Sequence, residues 1–348
     1  MPRIKAFLAV AIVLLISSVA VATSDRRIHL APEFKPGDTL RYQIETRMTT
    51  AGTTTSPIVN PEGATQLKQS ASIVLRLDVL EVHPAPNGDP GPMRLRATYE
   101  KSSATSETDA YDPDSAALVD QYNRLEGRSM EFTVEPDGRL TNIKGLEEML
   151  SNPSAAQTVR SWMAGLSSSA GFPSAGIAIG QKWSREQPLT GIPIAGLFWH
   201  TEATYLRNEP CPDNGPETSA ATNPATNPAA PAGASPPATP AANPRSPDQN
   251  PEICAAILTQ FTIVRHGSHN SHADQTPDDY RRNALRTSGT WTGSGESLDF
   301  ISLTTGRVLR SAQSTSQNID FTITSTTSGS RLTYKGKVES QSHITLLP

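Results

Sequence analysis

The sequence is short of aromatic side chains, of cysteine and, beyond its first residues, of long apolar runs. Aromatics make up 5% of its 348 residues and hydrophobic residues 36%. Such a composition does not fill a deep helical core; it suits an extracellular β protein with water-facing sheets. Basic clusters are missing too, with 30 Lys and Arg against 34 Asp and Glu. Nucleic acid and anionic membrane surfaces both need concentrated positive charge, so neither is an expected partner. No phosphate-cradling glycine loop occurs. No G-x-S-x-G nucleophile elbow occurs either, since "GTWTGSG" carries Trp291 where a serine would have to stand. No cofactor is expected.

One long apolar run exists. Arg3 and Lys5 precede "AFLAVAIVLLISSVAVA", which ends in the small-x-small site Ala20-Val21-Ala22 before "TSDRR". This is the layout of a cleaved secretory signal over residues 1–22, with an uncleaved membrane anchor as the alternative. Secretion to the periplasm or beyond is the expectation, with membrane contact only if the signal stays on.

The two cysteines, Cys211 and Cys254, fit that compartment as a disulfide. Between them, at about 212–252, runs a Pro/Ala/Asn tract almost free of large apolar residues. It cannot bury enough surface to offset its ordering entropy, so it is expected to be a disordered insertion with the disulfide closing its base. Neither cysteine has a C-x-x-C spacing or a nearby histidine that would mark a catalytic thiol.

Alternation of apolar and polar residues predicts strands through most of the remainder. Leu40, Tyr42 and Ile44 alternate with Arg41, Gln43 and Glu45 after a turn at Pro36-Gly37-Asp38. "ASIVLRLDVLEVH" places Ile73, Leu75, Leu77, Val79 and Glu81 on one side, and Met93, Leu95, Ala97 and Tyr99 return in phase as a hairpin. Met130, Phe132 and Val134 run into Glu135-Pro136-Asp137-Gly138, with Leu140 and Ile143 on the return. "GLEEML" then reads as a short helical piece. Asn152 and Pro153 open an amphipathic helix over about 153–168, whose stripe holds Ala155, Val159, Trp162, Met163 and Leu166.

The second half echoes the first. "IAIGQKWSREQPL" follows the pattern of "FKPGDTLRYQIET", and "ESLDFISLTTGRVLRSAQ" that of "SMEFTVEPDGRLTNIK". "QNIDFTITSTTS" and "RLTYKGKVESQSHITLL" close the chain as a hairpin. The expected fold is mainly β with a few helices. It has two similar, curved antiparallel sheets, separate or continuous with each other, from an internal duplication, one repeat over 23–170 and the other over 171–348, with the 153–168 helix packed across a face.

The segments Lys35–Tyr42, Phe132–Gly145 and Gly180–Trp183, behind a signal peptide, resemble a bacterial family of secreted domains of unknown function. In general shape the chain is also similar to the lipoprotein-carrier-like superfamily of the bacterial envelope. The first likeness covers most of the chain outside the Pro/Ala tract. It implies a secreted mostly-β module and supplies no catalytic residue. Against the second, the chain lacks the rich Leu, Phe and Trp lining of an acyl pocket.

Chemistry-bearing residues are few. His266, His269 and His272 stand three apart, with Asp274, Asp278 and Asp279 behind. Helical metal ligands prefer i, i+4 spacing and strand ligands i, i+2, so this run reads as a polar loop. A metal-dependent hydrolase using His266, His269 and His272, with Asp274 as an oxygen ligand, is the alternative. Asp112 with Asp114, and Asp278 with Asp279, sit beside prolines where Asp serves turns. Trp183, Trp199 and Trp291 lie on predicted strands, as core anchors or as platforms that stack on sugars or peptides. The expected function is non-catalytic binding of a hydrophobic or polymeric envelope ligand or a protein partner. The expected groove lies between sheet and helix and is lined by Phe132, Trp162, Met163 and Trp183. A purely structural envelope component is the third reading.

Overall fold

Alternating burial is clearest in the strands Thr39–Thr55, Met93–Thr108, Ser129–Val134, Leu285–Ser302 and Arg331–Leu347. The computed structural model describes residues 27–30, 34–55, 64–83, 91–109, 113–136, 140–149, 172–173, 175–189, 192–212, 251–266 and 275–348. Its strands are β1 (Thr39–Thr55), β2 (Ala64–Val82), β3 (Met93–Thr108), β4 (Ser129–Val134), β5 (Leu140–Lys144), β6 (Lys182–Pro188), β7 (Leu197–Pro210), β8 (Ile253–Arg265), β9 (Leu285–Ser302), β10 (Val308–Ser325) and β11 (Arg331–Leu347). Among the described residues three helices join them: α1 (Pro113–Asn123), α2 (Leu146–Met149) and α3 (Asp278–Arg282). The expected helix over 153–168, the leader over 1–22 and the insertion between Pro212 and Pro251 lie outside the described residues.

The strands form one antiparallel sheet in the order β5-β4-β3-β2-β1-β11-β10-β9-β8-β7-β6. This corrects the expectation of two separate sheets. The first and last strands pair in the middle, from Arg41 opposite Leu347 to Thr55 opposite Thr333. Two 17-residue strands with matching alternation would otherwise each leave a long row of unpaired backbone groups, and pairing them removes both edges. The chain's halves thus meet at β1 and β11, and the sheet's free edges, β5 and β6, come from the middle of the sequence.

One face of the first half carries the largest core. Leu40, Tyr42 and Ile44 of β1 pack with Leu75, Leu77 and Val79 of β2, with Met93, Leu95, Ala97 and Tyr99 of β3, and with Met130, Phe132 and Val134 of β4. Burying each large side chain contributes about 1.5–3 kcal/mol. Phe34, Tyr122 and Leu125 by α1, and Leu146 and Met149 of α2 close over this cluster. Helix α1 is fastened to β3: Ser102 Oγ donates to the carbonyl of Tyr122 at 2.6 Å, and Ala104 N–H donates to Asn123 Oδ1 at 2.9 Å. A bulge at Leu80 shifts the β2–β3 register, so that Glu81 stands opposite Arg94 on the outer face. There it forms an ion pair at 2.5 Å, where strict alternation would have put it beneath the core.

A second core gathers Leu30, Ile177, Ala203, Tyr205, Ala255, Ile257, Ile301 and Val308 on the same face of β7–β10. Arg307, in the β9–β10 turn, ties the halves together. It pairs with Asp38, in the turn before β1, and its guanidinium lies 5.5 Å from the centroid of the Phe34 ring. The half-buried setting strengthens this pair relative to the exposed ion pairs of the outer face.

Candidate ligand-binding face

Beyond the first core, β1, β2, β3, β9, β10 and β11 continue as a long ribbon. Its two faces differ in charge. A row across the sheet through Asp299, Ser311, Ile344, Ile44, Ile73 and Ser102 marks the boundary. Past that row, the face shared with the core shows Thr46, Met48, Thr50 and Thr54 from β1. From β11 it shows Leu332, Tyr334, Val338, Ser340 and Ser342. From β10 come Gln313, Thr315, Gln317, Ile319, Phe321 and Ile323, and from β9 Thr287, Trp291 and Ser297, with Leu67, Gln69, Ala104 and Ser106 on the flank. None of these side chains is ionisable at neutral pH. The charges of the same stretches project from the opposite face: Glu45, Arg47, Lys68, Glu107, Arg286, Glu296, Asp320, Arg331, Lys335, Lys337 and Glu339. The uncharged face is mostly half-buried and the charged face mostly exposed.

Three aromatic rings cross the uncharged face on adjacent strands. Trp291 and Phe321 have centroids 6.4 Å apart and planes within 6° of parallel. Phe321 and Tyr334 are 5.6 Å apart at 28°. Glycine makes room for them. A Cβ at Gly336 or Gly52 would stand 2.8 or 2.9 Å from the Tyr334 hydroxyl, so the phenol reaches across both backbones. The Trp291 indole N–H donates to Gln317 Oε1 at 2.8 Å, leaving the amide nitrogen of Gln317 as a donor. Beside them Thr315 and Ser340 share a hydroxyl hydrogen bond of 2.7 Å.

Asp299 stands at the head of this face. Burial pushes its carboxyl above the usual range, while hydrogen bonds from Ser311 (2.5 Å) and Ser297 (3.2 Å) hold it down in part. Part of the residue still reaches the surface, but the carboxyl is closely surrounded and its upward shift follows from lost solvation.

The residues singled out from sequence fall in several places. Phe132, 2% exposed, lies inside the first core. Trp183 packs on the second core, with its ring 5.7 Å from Phe172. Trp162 and Met163 lie outside the described residues. Trp199 and Trp291, together with Phe321, pack against a third small cluster of Ile194, Leu197 and Ile263. Of the histidine run, His266 is described. Its Nε2 lies 2.8 Å from Glu186 Oε2, and the other oxygen of that carboxylate is 3.2 Å from His200 Nδ1. His269, His272 and Asp274 lie outside the described residues, and among the described residues no group of three or more His, Cys, Asp or Glu is placed to hold a metal ion. Asp278 and Asp279 open α3 and pair with Arg281 and Arg282. Asp114 falls in α1, which Pro113 before it had disguised as a turn.

Cys211 and Cys254 form the expected disulfide, with Cα atoms 4.9 Å apart. It joins the end of β7 to the start of β8, beside the Cys211 N–H bond to the Glu252 carbonyl. The insertion therefore leaves and re-enters the sheet at one point. No described helix is long and apolar enough to cross a membrane.

Sequence reasoning found the strands and missed the charge-free face. The signal was present in β11, where Arg331, Lys335, Lys337, Glu339 and His343 all hold odd positions.

No protein-family model matches the chain, and no curated protein does. Among solved structures, one described as lipid-protein interactions in lipovitellin superposes at a TM-score of 0.42 and 11% identity. The match covers 91% of this chain and 26% of the other, so this chain spans about a quarter of that one's length.

Proposed function

We propose that the chain is a non-catalytic binding module of the periplasm or extracellular space, and that its ligand surface is the uncharged face of β1–β3 and β9–β11. The observation that carries this reading is the segregation of charge. Solubility alone would scatter Lys and Glu over both sides of a water-coated ribbon, whereas here one side excludes them over six strands. The disulfide is compatible with an oxidising compartment, and the leader-like first 22 residues supply the route. The groove expected between sheet and helix belongs to the same proposal. Met149 packs on the first core and Phe172 beside the second. Trp162 and Met163 lie between them in the chain, outside the described residues. Phe132 and Trp183 then anchor the groove's two flanks from within their cores.

The test is native mass spectrometry of the protein recovered from its own secretion route, beside a Thr50→Glu/Thr315→Glu variant that puts charge on the face. A retained adduct is expected in the parent and lost in the variant. An adduct that survives both substitutions would put the ligand elsewhere.

A further inference from the structure

We propose that the uncharged face pairs with the same face of a second copy of this chain, sheet upon sheet; this rests on the reading of that face as the binding surface and names its partner. The contact centres on a row across β2, β1 and β11 made by Leu67, Thr50 and Val338. The next row, across β1, β11 and β10, holds Met48, Ser340 and Thr315. Each of these six is half-buried within the single chain and keeps part of its surface open to solvent. Trp291 and Phe321 pack against Ile194, Leu197 and Ile263, so those rings belong to the chain's own packing and stand outside the contact.

Two copies meet on this surface without like-charge repulsion, and the centres of protein interfaces are depleted of charge. A partner selected by its charge would find nothing here to hold. The polar groups are already paired. Thr315 and Ser340 share their 2.7 Å hydrogen bond, and Gln317 accepts the Trp291 indole N–H at 2.8 Å, so covering them strands fewer groups than covering free hydroxyls would. Leu67, Met48 and Val338 supply an apolar centre. The face is also level. The Tyr334 hydroxyl lies within 2.9 Å of where a Cβ would stand at Gly52 or Gly336, and Gln317 Cγ lies 2.9 Å from that point at Gly293, so neighbours fill the hollows that glycine leaves. A level surface encloses no small molecule, which binds in a concavity. Two level sheets, by contrast, pack face to face about 10 Å apart. Four strands about 4.8 Å apart, each giving some nine residues of about 3.3 Å, offer roughly 550 Å² per copy. Two copies thus bury about 1,100 Å², just above the roughly 1,000 Å² that a specific interface needs. Because the same patch serves both partners, the assembly closes at two.

The experiment is sedimentation equilibrium of the full chain from about 2 to about 200 µM, at low salt and at 0.5 M NaCl. Alongside run Thr50→Glu and Val338→Glu, which set carboxylates against the same carboxylates of the other copy. Lys337→Glu changes the opposite face as a control, and Leu67→Ser replaces either glutamate variant that fails to fold. The mass is expected to move from one chain toward two across the concentration range and to survive the added salt. The dissociation constant is expected to rise tenfold or more in each folded face variant and to stay at the parent's value in Lys337→Glu. Three results overturn the second copy: a monomer at the highest concentration, a dimer that salt dissolves, or a dimer that survives the face substitutions. Native mass spectrometry with the Thr50→Glu/Thr315→Glu variant separates the two readings. A monomer that retains an adduct lost in that variant leaves the face as a ligand surface and removes the second copy. A monomer with no adduct removes both.

Discussion

The Ser311 hydroxyl donates to the Asp299 carboxylate at 2.5 Å across the β9–β10 ladder, on the side of the sheet that also carries Ile257 and Ile344. A carboxyl there loses solvation, and the two serine donors restore only part of it. Its pKa is therefore raised above the ordinary value of 3.8. The folded state holds this proton more tightly than the unfolded state does. The neutral form is favoured on folding, so Asp299 destabilises the fold least below pH about 4. Stability falls as pH rises through the folded-state pKa, by about 1.4 kcal/mol for each unit of separation. Asp299→Asn is expected to raise the melting temperature at pH 7 and to converge with the parent near pH 3. Ser311→Ala removes a donor that favours the anion, so it steepens the pH dependence. Thermal melts from pH 3 to 7 read both effects, and an Asp299→Asn variant that is less stable at pH 7 would contradict the assignment.

Gly336 stands where β11 meets β1, and a methyl group there would lie 2.7 Å from the Ala51 carbonyl oxygen and 2.9 Å from the Gly52 Cα. These are backbone atoms that cannot swing aside. Gly336→Ala is expected to separate the strands locally and cost about 1–3 kcal/mol in urea denaturation. An alanine at Gly127, whose added Cβ meets nothing within 4 Å, makes a control that carries only the strain of its positive φ. A Gly336→Ala variant as stable as the parent would show that the β1–β11 seam is looser than described.

The disulfide fixes both ends of the insertion at one place on the sheet. Deleting residues 214–250 while keeping Cys211 and Cys254 is expected to leave far-UV circular dichroism and the melting temperature unchanged. Replacing both cysteines by alanine in the full chain releases a loop of 43 residues, with an expected loss of about 4 kcal/mol on loop-closure entropy. A deletion variant that fails to fold would show the insertion to be part of the core.

His266 is held by Glu186 beside His200, and its ring meets Phe198 edge-on at 4.9 Å. These contacts hold it in place without a metal. Elemental analysis of the purified protein is expected to find no stoichiometric zinc or copper. It is also expected to find no difference for a His266→Ala/His269→Ala/His272→Ala variant. Metal that disappears in that variant would restore the hydrolase reading.

Much of this architecture is legible in the residues, because each strand's burial is a local matter of alternation. Leu40, Tyr42 and Ile44, or Met130, Phe132 and Val134, announce a buried side whatever they pack against. Helix α1 was not legible. Its apolar residues make no clear stripe, and its place depends on bonds to Ser102 and Ala104 of the preceding strand, about twenty residues back. The serine- and threonine-rich middle of β10 gives no apolar signal of its own, and it is held as strand by pairing to β9 and β11. Among the proposed groove residues, Trp183 was correctly read as sitting on a strand, but its attachment to a core separate from that of Phe132 required the order of the strands.

The residue pattern alone determined strand content, the turn at Pro36-Gly37-Asp38, the sulfur pairing and the mild acidity, because each depends on neighbours in the chain or on composition. Only the tertiary structure decided that the first and last strands meet to make one sheet, that a bulge at Leu80 turns Glu81 outward, and that six strands align their uncharged sides. Those outcomes depend on register between segments hundreds of residues apart, where moving a strand by one position exchanges its two faces.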